Sequence, residues 1–156
     1  IIRVITGPFT NQHDVDILSD DEISIFNNNI FFYKGDRIND ARVHFIGQPK
    51  IGNVEILIYN FQTQRFRKKF SKEINKQNVI TGVAGLSEIF DDGSLFIEET
   101  QSGRLLFFDK NGKLVLEYVN KANNGMNYGL GFSKVLKMNK NLKKIRNNLE
   151  SKKCID

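Results

Sequence analysis

His13 lies in the polar stretch Asn11-Gln12-His13-Asp14, directly before a segment with the alternation of a β-strand. An imidazole in this setting can act as a nucleophile, ligate a metal ion, or serve as an ordinary polar loop side chain. The chain's other histidine, His44, lies 31 residues further on, and no Cys or second His stands at metal-ligand spacing. The pattern therefore predicts no metal ion and no cofactor.

The composition is that of one ordinary folded domain. The chain has 156 residues, of which 40% are hydrophobic. No apolar run approaches the roughly 18 residues that a membrane helix requires, so no membrane span is expected. Cys154 is the only cysteine, so no intrachain disulfide can form. No signal peptide is visible, and a first residue of Ile rather than Met suggests a processed chain or a fragment.

The positive charge is concentrated at the C-terminal end. Residues 137–156 carry 7 basic and 2 acidic side chains, whereas residues 1–136 carry 16 of each. Leu142, Ile145 and Leu149 have helical spacing in this tail. No aromatic residue interleaves with its lysines, as a single-strand nucleic-acid groove would need. We predict a solvated basic tail, helical in part, that binds no nucleic acid.

Most of the remaining sequence has the period of two that is typical of short β-strands. Turn sequences separate the strands, and Asp-Lys-Asn-Gly at residues 109–112 predicts a tight hairpin because Asn-Gly tolerates positive φ. The predicted strands fall into two sets of four: HDVDIL, EISIFNN, VEILIYNFQ and RFRKKFSK, then GLSEIF, SLFIEET, GRLLFFD and KLVLEYVN.

An internal repeat relates the two sets. An offset of 72 aligns Asp16 with Glu88 and His13 with Gly85, and a weaker third copy follows at an offset of 46. Four strands in about 46 residues match one blade of a β-propeller, and the larger offset implies an insertion of about 26 residues near 31–53. Because the second unit has glycine at the aligned position, we interpret His13 as a residue that the scaffold does not need.

The expected fold is all-β, a partial β-propeller over residues 1–136. Complete four-stranded blades are predicted at about 13–73 and 85–120, with part of a third from 129. The segment IIRVI at residues 1–5 is a candidate last strand of a preceding blade. Two blades leave apolar flanks facing water, so the remaining blades must come from a longer chain or from homo-oligomerisation. A compact β-sandwich of about ten strands is the alternative.

Residues 11–29, NQHDVDILSDDEISIFNNN, resemble the signature of the bacterial arylsulfate sulfotransferases, which do not use the nucleotide sulfate donor. In that family a Gln-His-Asp or Gln-His-Thr at the mouth of an inner strand is followed by a turn and a Phe-Asp-Asn. Residues 85–120 are similar to the C-terminal portion of the family's propeller. The family's Phe-Asp-Asn is Phe26-Asn27-Asn28 here, so an amide replaces one carboxylate.

The resemblance implies a six-bladed propeller, often periplasmic, that transfers a sulfuryl group from a phenolic sulfate ester to a phenol through a sulfated histidine. His13 matches the nucleophile of the motif, and Thr81 loosely matches a threonine that lines the family's site. Further histidines and an arginine that hold the sulfate lie in earlier blades of the family, and Arg104 is the candidate cation here. The implied partners are the phenolic sulfate, the phenol acceptor and the remaining blades.

The residues around His13 suit that chemistry. A neutral imidazole can take a sulfuryl group and release it, and the charged oxygens should be met by preorganised donors or cations. Asn11, Gln12 and Asp14 supply polar neighbours, and Asp14 or a backbone carbonyl can hold the imidazole tautomer. The alternative is a non-catalytic propeller module, or a fragment that has lost activity, which keeps a remnant histidine. The lack of visible cations near His13 favours that alternative.

Overall fold

The computed structural model describes residues 4–31, 50–82, 84–135, 144 and 147–148. Short β-strands dominate these residues, with one short helix between two groups of strands. In chain order the elements are β1 (Gln12–Ile17), β2 (Glu22–Asn27), β3 (Ile30–Phe31), β4 (Lys50–Ile51), β5 (Glu55–Asn60), β6 (Arg65–Lys69), α1 (Ser71–Lys76), β7 (Leu86–Ile89), β8 (Leu95–Glu99), β9 (Arg104–Phe108) and β10 (Leu114–Val119).

Two four-stranded antiparallel sheets make up most of the fold. The first has the order β1-β2-β5-β6 and the second the order β7-β8-β9-β10, so the strands of each sheet follow one another in the direction of the chain. The strands β3 and β4, which lie between β2 and β5 in the sequence, pair antiparallel as a separate two-stranded sheet. The predicted all-β class and the two predicted sets of four strands are therefore confirmed.

The pairing registers of the two sheets correspond through the offset of 72. Asp14 pairs with Phe26 in the first sheet, and Leu86 pairs with Glu98, 72 positions later, in the second. The first two strands of each sheet therefore place equivalent residues at equivalent points of the ladder.

The connection between the second and third strands differs between the sheets. Residues 28–54 connect β2 to β5, whereas residues 100–103 connect β8 to β9, a difference of 23 residues. The strands β3 and β4 lie in the longer connection. Most of the insertion predicted near 31–53 falls on residues 32–49, which lie outside the described residues.

One hydrophobic core joins the two sheets. Phe26 and Ile56 are paired and share a face of the first sheet, and Ile97 and Leu106 do the same in the second. Each fully buried side chain of this kind contributes about 1.5–3 kcal/mol through removal of apolar surface from water. The buried members of this core are Phe26, Val54, Ile56, Ile74, Val79, Leu95, Ile97, Leu106 and Phe108.

The helix α1 was not predicted from the sequence. It follows Phe70, whose φ of 48° turns the chain out of β6, and its one buried residue is Ile74. Ile74 packs into the core between the sheets, and the Phe70 ring lies 6.3 Å from the ring of Phe108. Six residues with a single buried apolar position are too few to show the helical period in the sequence. The packing of Ile74, and not intrinsic helix propensity, therefore stabilises α1.

The two ends of the described chain contain no strands. Val4 and Ile5, part of the predicted strand at residues 1–5, form none, and neither do residues 129–135, where a third unit was predicted to begin. Most of the predicted basic tail lies outside the described residues. Its described members, at positions 144 and 147–148, are helical and exposed. No described helix is long and apolar enough to cross a membrane.

Gly85 and Gly125 form a matched pair for testing the packing between the sheets. Gly85 has a φ of +115°, and a Cβ there would lie 2.6 Å from the Phe26 ring, whereas Gly125, at +81°, has nothing within 4 Å. We expect Gly125→Ala to lower the free energy of unfolding by about 1–2 kcal/mol through backbone strain. Gly85→Ala should lower it by about 2–5 kcal/mol, because overpacking adds to the strain. Urea unfolding measures both, and equal losses would contradict the role given to the Phe26 ring.

Candidate functional site

A β-bulge sets the position of His13. In the ladder between β1 and β2, Gln12 pairs with Asn27 and Asp14 pairs with Phe26, so His13 is an extra residue on β1. A bulge interrupts the alternation of a strand and aims a side chain in a new direction. As a result, His13 and Asp14 line the same cavity, although adjacent residues of a regular strand point to opposite faces.

The cavity lies where the first strands of the two sheets approach each other. Its volume is about 180 Å³. Four segments of the chain contribute to its wall: β1, the start of β7, the end of β8 and the stretch that follows β10. The main lining residues are His13, Asp14, Gly85, Leu86, Glu98 and Phe132.

Asp14 joins the two sheets at this cavity. Its Oδ2 accepts a hydrogen bond of 3.0 Å from the backbone N–H of Ser87. Ser87 lies on β7, an edge strand, and its donor would otherwise face away from the ladder. One oxygen of Asp14 is therefore committed to holding β1 beside β7.

Asn11 and Thr81 hold the backbone behind the cavity. Nδ2 of Asn11 donates to the carbonyl of Gly82 over 2.9 Å, and Oγ1 of the buried Thr81 donates to the carbonyl of Ala84 over 3.1 Å. Neither side chain lines the cavity, and Gln12 is exposed at the start of β1. The structure thus places Asn11 and Thr81 behind the backbone that forms the cavity wall, and substrate contact by Asn11, Gln12 and Thr81 stays a prediction.

Asn27 shows what the altered motif does. It is fully buried, and its Oδ1 accepts hydrogen bonds from the backbone N–H groups of Thr10, at 2.8 Å, and Asn29, at 3.3 Å. The amide oxygen supplies the acceptor that a carboxylate would offer at this position. Its Nδ2 has no hydrogen-bond partner within the described ranges. The contacts of Asn27 therefore give this position the role of a hydrogen-bond acceptor for two backbone N–H groups.

Arg104 does not line the His13 cavity. Its Nε donates to Oε2 of the buried Glu99 over 2.6 Å, and its Nη2 donates to the carbonyl of Gln77, just beyond α1, over 2.9 Å. The guanidinium thereby ties the end of α1 to β8 and β9. Among the described lining residues of the cavity there is no lysine or arginine. The role of Arg104 in substrate binding stays a prediction, and the role that its contacts show is structural.

Glu98 was not predicted from the sequence as a site residue. It is fully buried, and its carboxylate accepts hydrogen bonds from Thr100 Oγ1 at 2.7 Å and from the Ser133 N–H at 2.6 Å. Burial raises the pKa of the Glu98 carboxyl, but the hydrogen bonds from Ser133 and Thr100 outweigh burial and leave the pKa below its ordinary value. The available signal was the pair Glu98-Glu99, which ends an otherwise apolar strand.

The surroundings of the cavity are acidic. Burial, reinforced by the nearby carboxylates of Asp14 and Glu88, raises the pKa of Asp16 on β1. Within the described ranges, no three His, Cys, Asp or Glu side chains are grouped so that they could hold a metal ion. An anionic ligand beside His13 must therefore find its positive charge outside the described lining.

The comparison with known proteins decides the family. The model of the family described as Arylsulfotransferase (ASST) matches residues 4–121, which is 118 of the 156 residues. The chain belongs to the arylsulfotransferase family. The match includes both four-stranded sheets and the bulge at His13, and it confirms the resemblance drawn from the motif. No curated protein and no solved structure matches the chain at a significant level.

Asn27 allows a test of its role as a hydrogen-bond acceptor. Asn27→Ala leaves two backbone N–H groups without their acceptor, and we expect it to lower the free energy of unfolding by about 1–3 kcal/mol. Asn27→Asp restores an acceptor oxygen and should retain more stability than the alanine variant. Urea unfolding at neutral pH compares the two. Equal losses would mean that the hydrogen bonds to Oδ1 do not decide the residue at this position.

Glu98 makes the free energy of unfolding fall as the pH becomes acidic. Because its folded pKa lies below the ordinary value of 4.5, its stabilising contribution is complete above that value and is lost as the pH falls through the folded pKa. We expect Glu98→Gln to flatten the fall in unfolding free energy between about pH 5 and 3. Urea unfolding across this range measures it, with the exposed Asp20→Asn as control. Parallel curves for wild type and Glu98→Gln would contradict the assignment.

Proposed function

We propose that this chain carries the nucleophile of an aryl-sulfate-dependent sulfotransferase and that His13 is the residue that becomes sulfated. The observation that supports this most directly is the bulge, which brings His13 to a cavity of about 180 Å³. A cavity of about 150 Å³ is known to accept benzene, so a single aryl ring fits this volume. Membership of the arylsulfotransferase family supports the reaction class.

In the proposed reaction a ring nitrogen of His13 attacks the sulfur of a phenolic sulfate ester. The S–N bond forms while the bond between sulfur and the phenolic oxygen breaks, and the phenolate leaves. A second phenol, which gives its proton to a base, then attacks the sulfur, and the S–N bond breaks to return the imidazole. Asp14, which lines the cavity beside His13, is the side chain to which we assign orientation of the ring.

The described lining supplies only part of what this reaction needs. The sulfuryl oxygens carry negative charge that preorganised donors or cations must stabilise, yet two of the described lining residues, Asp14 and Glu98, are acidic. We infer that the missing positive groups come from further units of the same fold. They would lie in a longer chain or in other copies of this chain.

We therefore propose that the two four-stranded sheets are consecutive blades of a β-propeller. The chain-order arrangement of both sheets and the shared register of their first two strands support this. The approach of β1 to β7 through the Asp14–Ser87 bond would then place the His13 cavity near the central channel. Because arylsulfotransferases are generally extracytoplasmic, we propose such a location for this protein as well.

The two histidines of the chain provide a matched test. In the complete assembly, 4-nitrophenyl sulfate should release 4-nitrophenol and leave a covalent SO₃ adduct that intact-mass measurement detects and peptide mapping places on His13. His13→Ala should abolish both signals, because no nucleophile remains at the bulge, whereas His44→Ala should keep the adduct on His13. The absence of release and adduct in the complete assembly would overturn the enzymatic proposal. Ligand binding that persists without any adduct, unchanged in His13→Ala, would instead identify a non-catalytic binding module.

A further inference from the structure

Phe132 is an unusual residue at the rim of the His13 cavity. The residue is 93% exposed, the highest value among the large hydrophobic residues that the structure describes. Its φ of 59° is left-handed, a conformation that costs a residue with a side chain free energy and is uncommon for an aromatic one. An exposed aromatic ring on a strained backbone needs a compensating contact and a reason for its position.

Glu98 provides the compensating contact. Its buried carboxylate accepts a hydrogen bond of 2.6 Å from the backbone N–H of Ser133, the residue that follows Phe132. A charge-assisted bond of this kind to a buried carboxylate holds the backbone beside Phe132 in place. The backbone N–H of Leu130 also donates to the carbonyl of Thr100 over 2.9 Å. The stretch that carries Phe132 is thus fixed to the end of β8 on two sides.

The size and lining of the cavity suit an aromatic ring such as that of Phe132 at its rim. His13, Leu86 and Phe132 line the same space, which has the volume of one aryl ring. Among the described lining residues, Phe132 is the only aromatic hydrocarbon ring. A ring at the rim can stack on a bound phenol or pack edge-on against it. An aliphatic substrate has no ring with which to make these contacts.

We propose that Phe132 is the aryl-recognition residue of the site and that Glu98 is the positioning residue that holds Phe132 over the cavity. In this arrangement the ring of a phenolic sulfate or phenol lies against Phe132 while its ester or hydroxyl oxygen faces His13. The inference rests on the proposed function, because an aryl ring beside His13 is the substrate that the function requires. It adds a residue that selects aryl over alkyl substrates.

Steady-state and single-turnover kinetics of the complete assembly test the role of Phe132. Phe132→Ala should raise KM for 4-nitrophenyl sulfate by about tenfold, as lost aromatic packing predicts. The rate of His13 sulfation at saturating substrate should stay close to that of wild type. Phe132→Tyr should restore KM, Phe132→Leu should restore it only in part, and the exposed Tyr118→Ala should leave it unchanged. An unchanged KM in Phe132→Ala, with His13 still sulfated, would overturn this inference and leave the proposed function standing.

A double-mutant cycle tests the role of Glu98. If Glu98 acts through Phe132, Glu98→Gln should raise KM for 4-nitrophenyl sulfate in the wild-type background and add little in the Phe132→Ala background. Independent, additive effects would show that Glu98 has only a general structural role and would overturn the positioning assignment.

Binding of phenol alone provides a readout that needs no turnover. Saturation-transfer NMR with phenol should show contact with the wild-type assembly and a weakened signal for Phe132→Ala, with ethanol as the aliphatic control. Equal phenol signals in both proteins would overturn aryl recognition by Phe132. A loss of the signal in Phe132→Ala would support it even if no adduct forms on His13, so the two proposals fail separately.

Discussion

The hydrogen bond from the Ser87 N–H to Asp14 Oδ2 is the contact on which the site depends. It joins β1 and β7, edge strands of different sheets that share no ladder of their own. The apolar core holds the sheets together, but burial of apolar surface is non-directional and does not specify how two edges align. A charge-assisted hydrogen bond does specify it, because the donor and acceptor must meet at one distance and angle. The His13 cavity exists where that alignment leaves a gap between the edges.

Most polar residues near the cavity act on the backbone. Asn11 donates a hydrogen bond to the carbonyl of Gly82, and Thr81 donates one to the carbonyl of Ala84. Asn28 Nδ2 also donates to the carbonyl of Ala84, over 3.3 Å. Asn27 accepts hydrogen bonds from two backbone N–H groups. Irregular backbone between buried strands carries unpaired groups that would be costly without such partners. The asparagines of the motif, together with Thr81, therefore form largely the framework around the cavity that His13 lines.

The surroundings of Gly85 explain why the two repeat units differ at the position of His13. By sequence alone, His13 is a departure from the repeat because the second unit has glycine at the aligned position. In the structure, Gly85 has its own steric reason, since positive φ and the Phe26 ring leave no room for a side chain. The contrast between the two positions therefore reflects what each must pack against. The stronger reason to single out His13 is the bulge that sets its direction; the ladder of β7 and β8 begins at Leu86, one residue beyond the position aligned with His13.

The sequence by itself determined the eight strands of the two sheets, the hairpin at residues 109–112 and the motif around His13. Each of these has a signal within a few neighbouring residues: period-two alternation, turn residues or a short motif. It could not reveal the bulge, the short helix around Ile74 or the contact of Glu98 with Ser133. Each of these depends on partners that are distant along the chain. The bulge depends on the register of β1 on β2, and the helix depends on the core between the two sheets. The Glu98 carboxylate lies 35 residues from the Ser133 N–H that it binds. The tertiary structure alone decided which residues meet at the cavity, because edge alignment and buried hydrogen bonds have no local signal.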